Sequence, residues 1–217
     1  EEFMKDLRRF LKGDYDVLNG FCYHMRNYNM QCGVVNYITN YNGFTLADLV
    51  SYEHKHNEAN GENNQDGTDY NYSWNCGIEG ATRKRSILDL RRKQMRNAMC
   101  FLLMAQGTPM ILAGDEFCNS QKGNNNCYCQ DNDISWLDWR NAAKNEPFLD
   151  YVKALIQFRQ KHSVLHADHA LAMTDFHGNG YPELSYHGED EWKIHSESCD
   201  RHVGMMYFEP LTVQKDK

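Results

Sequence analysis

The sequence predicts an α/β fold followed by the start of a small β domain, and three observations carry that expectation. Two short apolar runs, Val34 to Thr39 and Met110 to Ala113, flank a long helical pattern, which is the order of a βαβ unit. Turn-rich segments with further strand patterns follow from about residue 164. The chain of 217 residues is long enough to bury a sizeable core.

Phe3, Leu7, Phe10 and Leu11 recur at helical spacing before Gly13, so residues 1 to 12 read as a helix with a glycine stop. The pattern is already running at Glu1, and no Met precedes it, which suggests natural sequence upstream and a fragment of a longer protein. Val34 to Thr39 is β-branched and aromatic, follows Gly33 and ends before Asn42-Gly43, as a short buried strand does. From Glu53 to Gly80 the chain is dense in Asn, Asp, Gly and Glu and is interrupted by Tyr70, Tyr72 and Trp74. So long a polar loop is functional or disordered. Aromatics among side-chain amides favour function, because sugars stack on rings and hydrogen-bond to planar donors and acceptors.

Ser86 reads as the cap of a helix running to about Gln106. Its cluster Arg91, Arg92, Lys93 and Arg96 stands alone in an acidic chain and reads as a solvated face. Gly107-Thr108-Pro109 leads into the second apolar run, which ends at Gly114-Asp115-Glu116. After a second polar loop, Gly123 to Asn132, a helix from about Phe148 to His162 carries Leu149, Val152, Leu155, Ile156 and Phe158 on an apolar face. Glu183 to Gly188 and Val203 to Phe208 read as strands. No internal repeat appears.

The formal net charge is -7, with 24% charged residues, which argues against nucleic acid or an anionic membrane as partner. No apolar run approaches the roughly 20 residues of a membrane span, and no leader pattern opens the chain. A cytoplasmic location is the expectation. Eight scattered cysteines read as free thiols. Cys118, Cys127 and Cys129 lack the second paired motif of a zinc site, and His162, His166, His169, His177, His187, His195 and His202 fall at irregular intervals, so no metal and no cofactor is expected.

Four stretches carry a resemblance. Residues 36–52, from Asn36-Tyr37-Ile38-Thr39 through Gly43-Phe44-Thr45-Leu46 to Tyr52, resemble the seventh-strand motif of isoamylases and bacterial glycogen-debranching enzymes of the α-amylase superfamily. The loop HNEANGENNQDGTDYNYSWNCG, residues 56–77, is closer still. QGTPMILAGDEF, residues 106–117, is similar to the eighth strand, and GNNNCYCQDNDISWLDW, residues 123–139, to the loop after it. Lys5 to Asp14 looks like the helix after the sixth strand, and PELSYHGEDEW, residues 182–192, like the start of the family's C-terminal β domain.

The resemblance implies the C-terminal part of a (β/α)8 TIM barrel over residues 1–163 and the start of a C-terminal β domain, incomplete, over 164–217. It implies cleavage of α-1,6-glucosidic bonds of branched α-glucan (glycogen, starch, maltooligosaccharides) with retention, by a nucleophile and a general acid on the fourth and fifth strands. Neither can be assigned in this chain, which is therefore expected to be inactive alone and to need the missing N-terminal part of the barrel.

The family's third carboxylate belongs to a His-Asp pair before Gly-Phe-Thr-Leu, where this chain has Tyr41-Asn42. The neutral Asn42 loses a charge that favours the transition state, at a cost of about 3 kcal/mol or about a hundredfold in rate. Candidate substrate-binding residues are Tyr41, Asp69, Tyr72, Trp74, Asn126 and Tyr128; Asp115, Glu116 and Asp131 lie near the same cleft. The competing readings are a non-catalytic glucan-binding or regulatory paralogue and a truncated reading frame without independent role.

Overall fold

The structure is a computed structural model that describes residues 1–29, 31–175, 178–194 and 201–209. Helix α1 spans Glu2–Lys12 and buries Phe3, Leu7 and Phe10 on one face. It ends as the sequence indicates: Gly13 adopts φ 85, a conformation that strains any residue with a Cβ, and its N–H donates to the Arg9 and Phe10 carbonyls. Helix α2, Leu18–Arg26, is not anticipated by the sequence reading. Gly20 lets it approach α1, since a Cβ there would collide with the Asp6 carboxylate. Phe21 stacks on Phe10 at 4.2 Å between centroids and meets Phe101 edge-on at 4.9 Å, so α1, α2 and the long helix of residues 85–104 share one apolar seam.

The two expected strands are present and parallel but differ in extent. β1 is Val35–Asn36 and β2 is Thr108–Pro109, in the register Val35 to Thr108 and Asn36 to Pro109. The expected strand Val34 to Thr39 is thus shorter, and the expected strand Met110 to Ala113 begins earlier and loses its ladder at once. The cause is local. At Gly107 (φ 86) a Cβ would sit 2.8 Å from the Val34 carbonyl oxygen, so the glycine brings the chain alongside β1 at that point. The Thr108 N–H donates to the Val34 carbonyl and the Met110 N–H to that of Asn36, each at 2.7 Å, and Pro109 lies between them at a position from which this ladder takes no donor. Beyond them Gly114 (φ 99) and the 3-10 turn Asp115–Phe117 stop the run that its hydrophobicity alone suggests is a strand.

Between these strands lie the short helix α3, Leu46–Leu49, the polar loop and α4, Arg85–Met104. Ser86 does not cap α4. The helix begins one residue earlier, with Lys84 in the capping position, and the Thr82 hydroxyl accepts the Lys84 N–H instead. At the other end the buried Arg159 donates to the carbonyls of Leu103 (2.8 Å), Ala105 (2.7 Å) and Gly107 (2.6 Å), which would otherwise be orphaned as α4 ends. Gln106 is fully buried: its N–H donates to Met25, its side-chain amide to Val164, and its carbonyl accepts from Asn36.

Helices α5, Arg140–Lys144, and α6, Glu146–Lys161, follow, with Pro147 in the first turn of α6, where its missing N–H costs nothing. The expected apolar face of α6 is corrected at one position. Phe158 is 49% exposed, and the buried residue there is its neighbour Arg159. The two strands expected near the end are β3, Leu184–His187, and β4, Gly204–Tyr207, which pair antiparallel. Their tyrosines reach the helical layer: Tyr186 donates to the Cys22 carbonyl at 2.5 Å and Tyr207 to that of Met104 at 3.0 Å. Leu171, Leu184 and Tyr186 accordingly belong to the same buried cluster as Phe21, Met99 and Leu102. His177 and His195 lie outside the described residues.

Candidate functional site

Tyr41 and Asn42 form the exposed rim beyond the carboxyl end of β1, between the buried Thr39 and Gly43. Tyr41 is 86% exposed and Asn42 is exposed beside it, with the Asn42 N–H held by the Asn40 side chain at 3.0 Å. Underneath, Asp115 is 1% exposed and accepts from the Thr39 hydroxyl and, at 2.8 Å, from the Leu46 N–H. It therefore joins the ends of both strands to the start of α3. Burial pushes its pKa up to about 7, against the opposing pull of those two donors and of Arg8. Thr45 caps α3 by accepting the Asp48 N–H, and the fully buried Asp48 accepts from the Ser120 hydroxyl (2.5 Å) and the Gln121 N–H (2.7 Å). Burial raises the Asp48 pKa as well.

The two polar loops are ordered against one another by their own amides. Asn57 donates to Asn125 Oδ1 at 2.9 Å while Asn57 Oδ1 accepts the Asn125 N–H at 3.0 Å. Asn125 donates in turn to Asn71 Oδ1 (3.0 Å) and the Thr68 carbonyl (2.8 Å). Asp66 Oδ2 accepts from Asn60 (2.7 Å) and Asn126 (2.9 Å), and these amides hold its pKa below the usual carboxylate range. At Gly67 (φ 70) a Cβ would meet the Asn125 amide, so the crossing of the loops depends on that glycine. Many of the side-chain amides that read as sugar ligands are thus engaged in holding the loops.

The candidate binding residues separate into two groups. Tyr41, Asn42, Asp69 and Tyr128 are exposed on the loops, Asp69 paired with Lys55 at 2.9 Å and Tyr128 76% exposed. Asn126 is half-buried, with its amide on Asp66. Tyr72 and Trp74 instead line a groove with Arg8, Leu11, Lys12, Leu49, Val50 and Gln94, a groove that Tyr41, Asn42 and Tyr128 do not line. The other nearby carboxylates have structural partners: Glu116 accepts the Gly114 N–H at 2.8 Å and Asp131 the Trp136 indole N–H at 3.0 Å. Cys118 lies under the surface, its thiol pushed up to about 12 by burial, and among the described residues no group of three His, Cys, Asp or Glu is placed to hold a metal ion.

Sequence reasoning missed Arg8 and Asp48. Arg8 is 3% exposed and donates to the carbonyls of Ile38 and Asn71, each at 2.8 Å, so it supports the strand end and the loop together. Burial lowers its pKa to about 10. Nothing in the run Asp6-Leu7-Arg8-Arg9 distinguishes it from a surface base. Asp48 did have a signal, the capping spacing Thr45-x-x-Asp48 ahead of apolar residues.

No protein-family model matches the chain. Among curated proteins it is 54% identical over 130 residues to the glycogen operon protein GlgX homolog of Mycobacterium tuberculosis, covering 60% of this chain and 18% of that protein. It is 50% identical over 134 residues to the glycogen debranching enzyme of Erwinia tasmaniensis, covering 62% and 20%. Over 176 residues it is 43% identical to that of Serratia proteamaculans, covering 77% and 26%. Among solved structures, apo pullulanase from Paenibacillus barengoltzii matches with a TM-score of 0.57 at 20% identity over 87% of this chain and 26% of that one. Pullulanase type I of Bacillus subtilis, complexed with maltose, matches with a TM-score of 0.55 at 19% identity over 77% and 22%. At those identities the likeness concerns the fold, which is mixed α/β. No helix among the described residues is long and apolar enough to cross a membrane. The chain spans about a fifth of the length of the first two curated relatives, and over that stretch it is a homologue of proteins named glycogen debranching enzyme.

Proposed function

We propose that the chain supplies the rim of an α-glucan-binding cleft in a debranching glycoside hydrolase acting on α-1,6 linkages of glycogen or starch. In this reading residues 1–163 are the C-terminal part of a (β/α)8 barrel and residues 164–217 begin a β domain. Tyr41, Asn42, Asp69, Asn126 and Tyr128 face the glucan. A cytoplasmic location belongs to the same reading.

One observation carries it: Tyr41 and Asn42 stand exposed at the carboxyl end of a parallel strand, on a base fixed by Asp115, Thr39 and Arg8. Ligands collect at that end of such sheets. The 217 residues are inactive alone on this reading, because the buried carboxylate at the strand ends, Asp115, is committed to Thr39 and Leu46. A second reading, a glucan-binding paralogue without catalysis, is favoured by the neutral Asn42 where the resemblance puts a carboxylate.

The test is a chimera in which this chain replaces the matching segment of a glycogen debranching enzyme. It should bind maltooligosaccharide and hydrolyse branched glucan about a hundredfold more slowly than the parent, and Asn42→Asp with Tyr41→His should recover most of that factor. A chimera as fast as its parent, or hydrolysis by the 217 residues alone, refutes the enzyme reading as stated. A chimera that binds glucan but gains nothing from the double substitution favours the paralogue.

A further inference from the structure

The groove lined by Tyr72 and Trp74 adjoins a second hollow. Leu11, Lys12, Trp74 and Gln94 line both, and Gly13, Lys93, Asn97, Phe101 and Arg201 extend it along α1 and α4. Its charge is unlike the rest of the molecule. Arg8, Lys12, Lys93 and Arg201 all line it, and among the described residues no Asp or Glu does, in a chain whose net charge is -7.

Arg201 is placed there by the end of α1. Gly13 leaves the space above it open, and a Cβ would stand 3.3 Å from the Arg201 Nε, so the guanidinium lies over the end of α1, and Lys12 lines the same hollow. Lys12 has an acidic partner outside the hollow, Asp14, 3.8 Å from its ammonium. At the inner end Arg8 is 3% exposed and has satisfied Nε and Nη1, while its Nη2 has no acceptor. The Gln94 Oε1 on the facing helix is likewise buried without a donor. That inner end has room for about one water molecule, so a larger guest meets the outer cations and not Arg8.

We propose that this groove binds a small organic phosphate, its phosphoryl group among Lys12, Lys93 and Arg201 and its ring against Trp74. A phosphoryl dianion matches several cations and no carboxylate better than a neutral sugar does. The indole supplies the apolar face that a ring needs, and the Gln94 and Asn97 amides can meet hydroxyls. This surface is distinct from the proposed cleft and does not depend on that reading.

Isothermal titration of the purified protein with glucose 6-phosphate, inorganic phosphate and glucose tests it. Glucose 6-phosphate should saturate at millimolar concentration or below, inorganic phosphate more weakly, and glucose not at all. Lys93 is exposed, so Lys93→Glu leaves the fold intact and should weaken glucose 6-phosphate on the order of tenfold or more by placing a like charge beside the phosphate. Trp74→Leu should reduce the advantage of glucose 6-phosphate over inorganic phosphate. Equal binding of glucose, an unchanged affinity in Lys93→Glu, or no saturable binding of any phosphate overturns the proposal.

Discussion

The helical side and the loop side of this molecule are held by opposite chemistry. Behind the strands, Phe10, Phe21 and Phe101 interlock with Leu7, Met25 and Leu102, nearly all fully buried and apolar. In front, Asp48, Asn57, Asn71, Asp115, Asn124 and Asn125 are buried to a similar degree, and each is satisfied by named hydrogen bonds. The apolar side tolerates rearrangement because packing is non-directional, whereas a hydrogen-bonded lattice fails at any member that loses its partner. Loop geometry that must present exposed groups is thus fixed by direction-dependent bonds, and the bulk of stability comes from elsewhere.

Breaking the helical side should have the greater effect. Phe21→Ala removes a ring packed against two others and should cost about 4 kcal/mol, read as a lower midpoint of urea unfolding over the whole transition. A loss below about 1 kcal/mol would mean that α2 is not part of the main core. On the loop side, Asn125→Ala removes a side chain bonded to Asn57, Thr68 and Asn71 and should cost about 2 kcal/mol. The sharper readout is protease susceptibility, which should rise within residues 53–80 and 121–130 while α4 stays protected. Uniform loss of protection would erase the contrast.

The smallest effect is in pH dependence. Asp115 has its folded pKa raised from 3.8 to about 7, so its contribution to stability is fully present below about 4 and is lost as pH rises through about 7. Asp115→Asn cannot titrate, and its stability should vary less than that of the parent between pH 4 and pH 7. Identical pH profiles for the two would show that Asp115 is ionised throughout, stabilised by Thr39, Leu46 and Arg8.

How much of this was legible depended on the kind of interaction. The stop of α1 at Gly13, the parallel pairing across α4 and the presence of the two strands at the end follow from periodicity and turn residues, which are local signals. α2 escaped because Asn19, Gly20 and Cys22 to His24 blur its apolar period, and the burial of Arg159 beside the exposed Phe158 inverts what hydrophobicity implies. The loops were legible as a place where function resides. The use of their amides was not, since Asn57 and Asn60 reach, besides the nearby Asp66, partners more than 60 residues away. Tyr72 and Trp74 looked equivalent to Tyr128 in composition, and only the placement of the loop against α1 and α4 separates them.

Gln106 shows what such long-range bonds imply for cooperativity. Its main chain and side chain together touch the end of α2 at Met25, β1 at Asn36 and the segment at Val164 and Ala167. None of these can move away without stranding a buried amide atom. Segments spread from residue 25 to residue 167 are therefore joined into one opening unit, and a fluctuation that begins at any of them is either suppressed or becomes common to all.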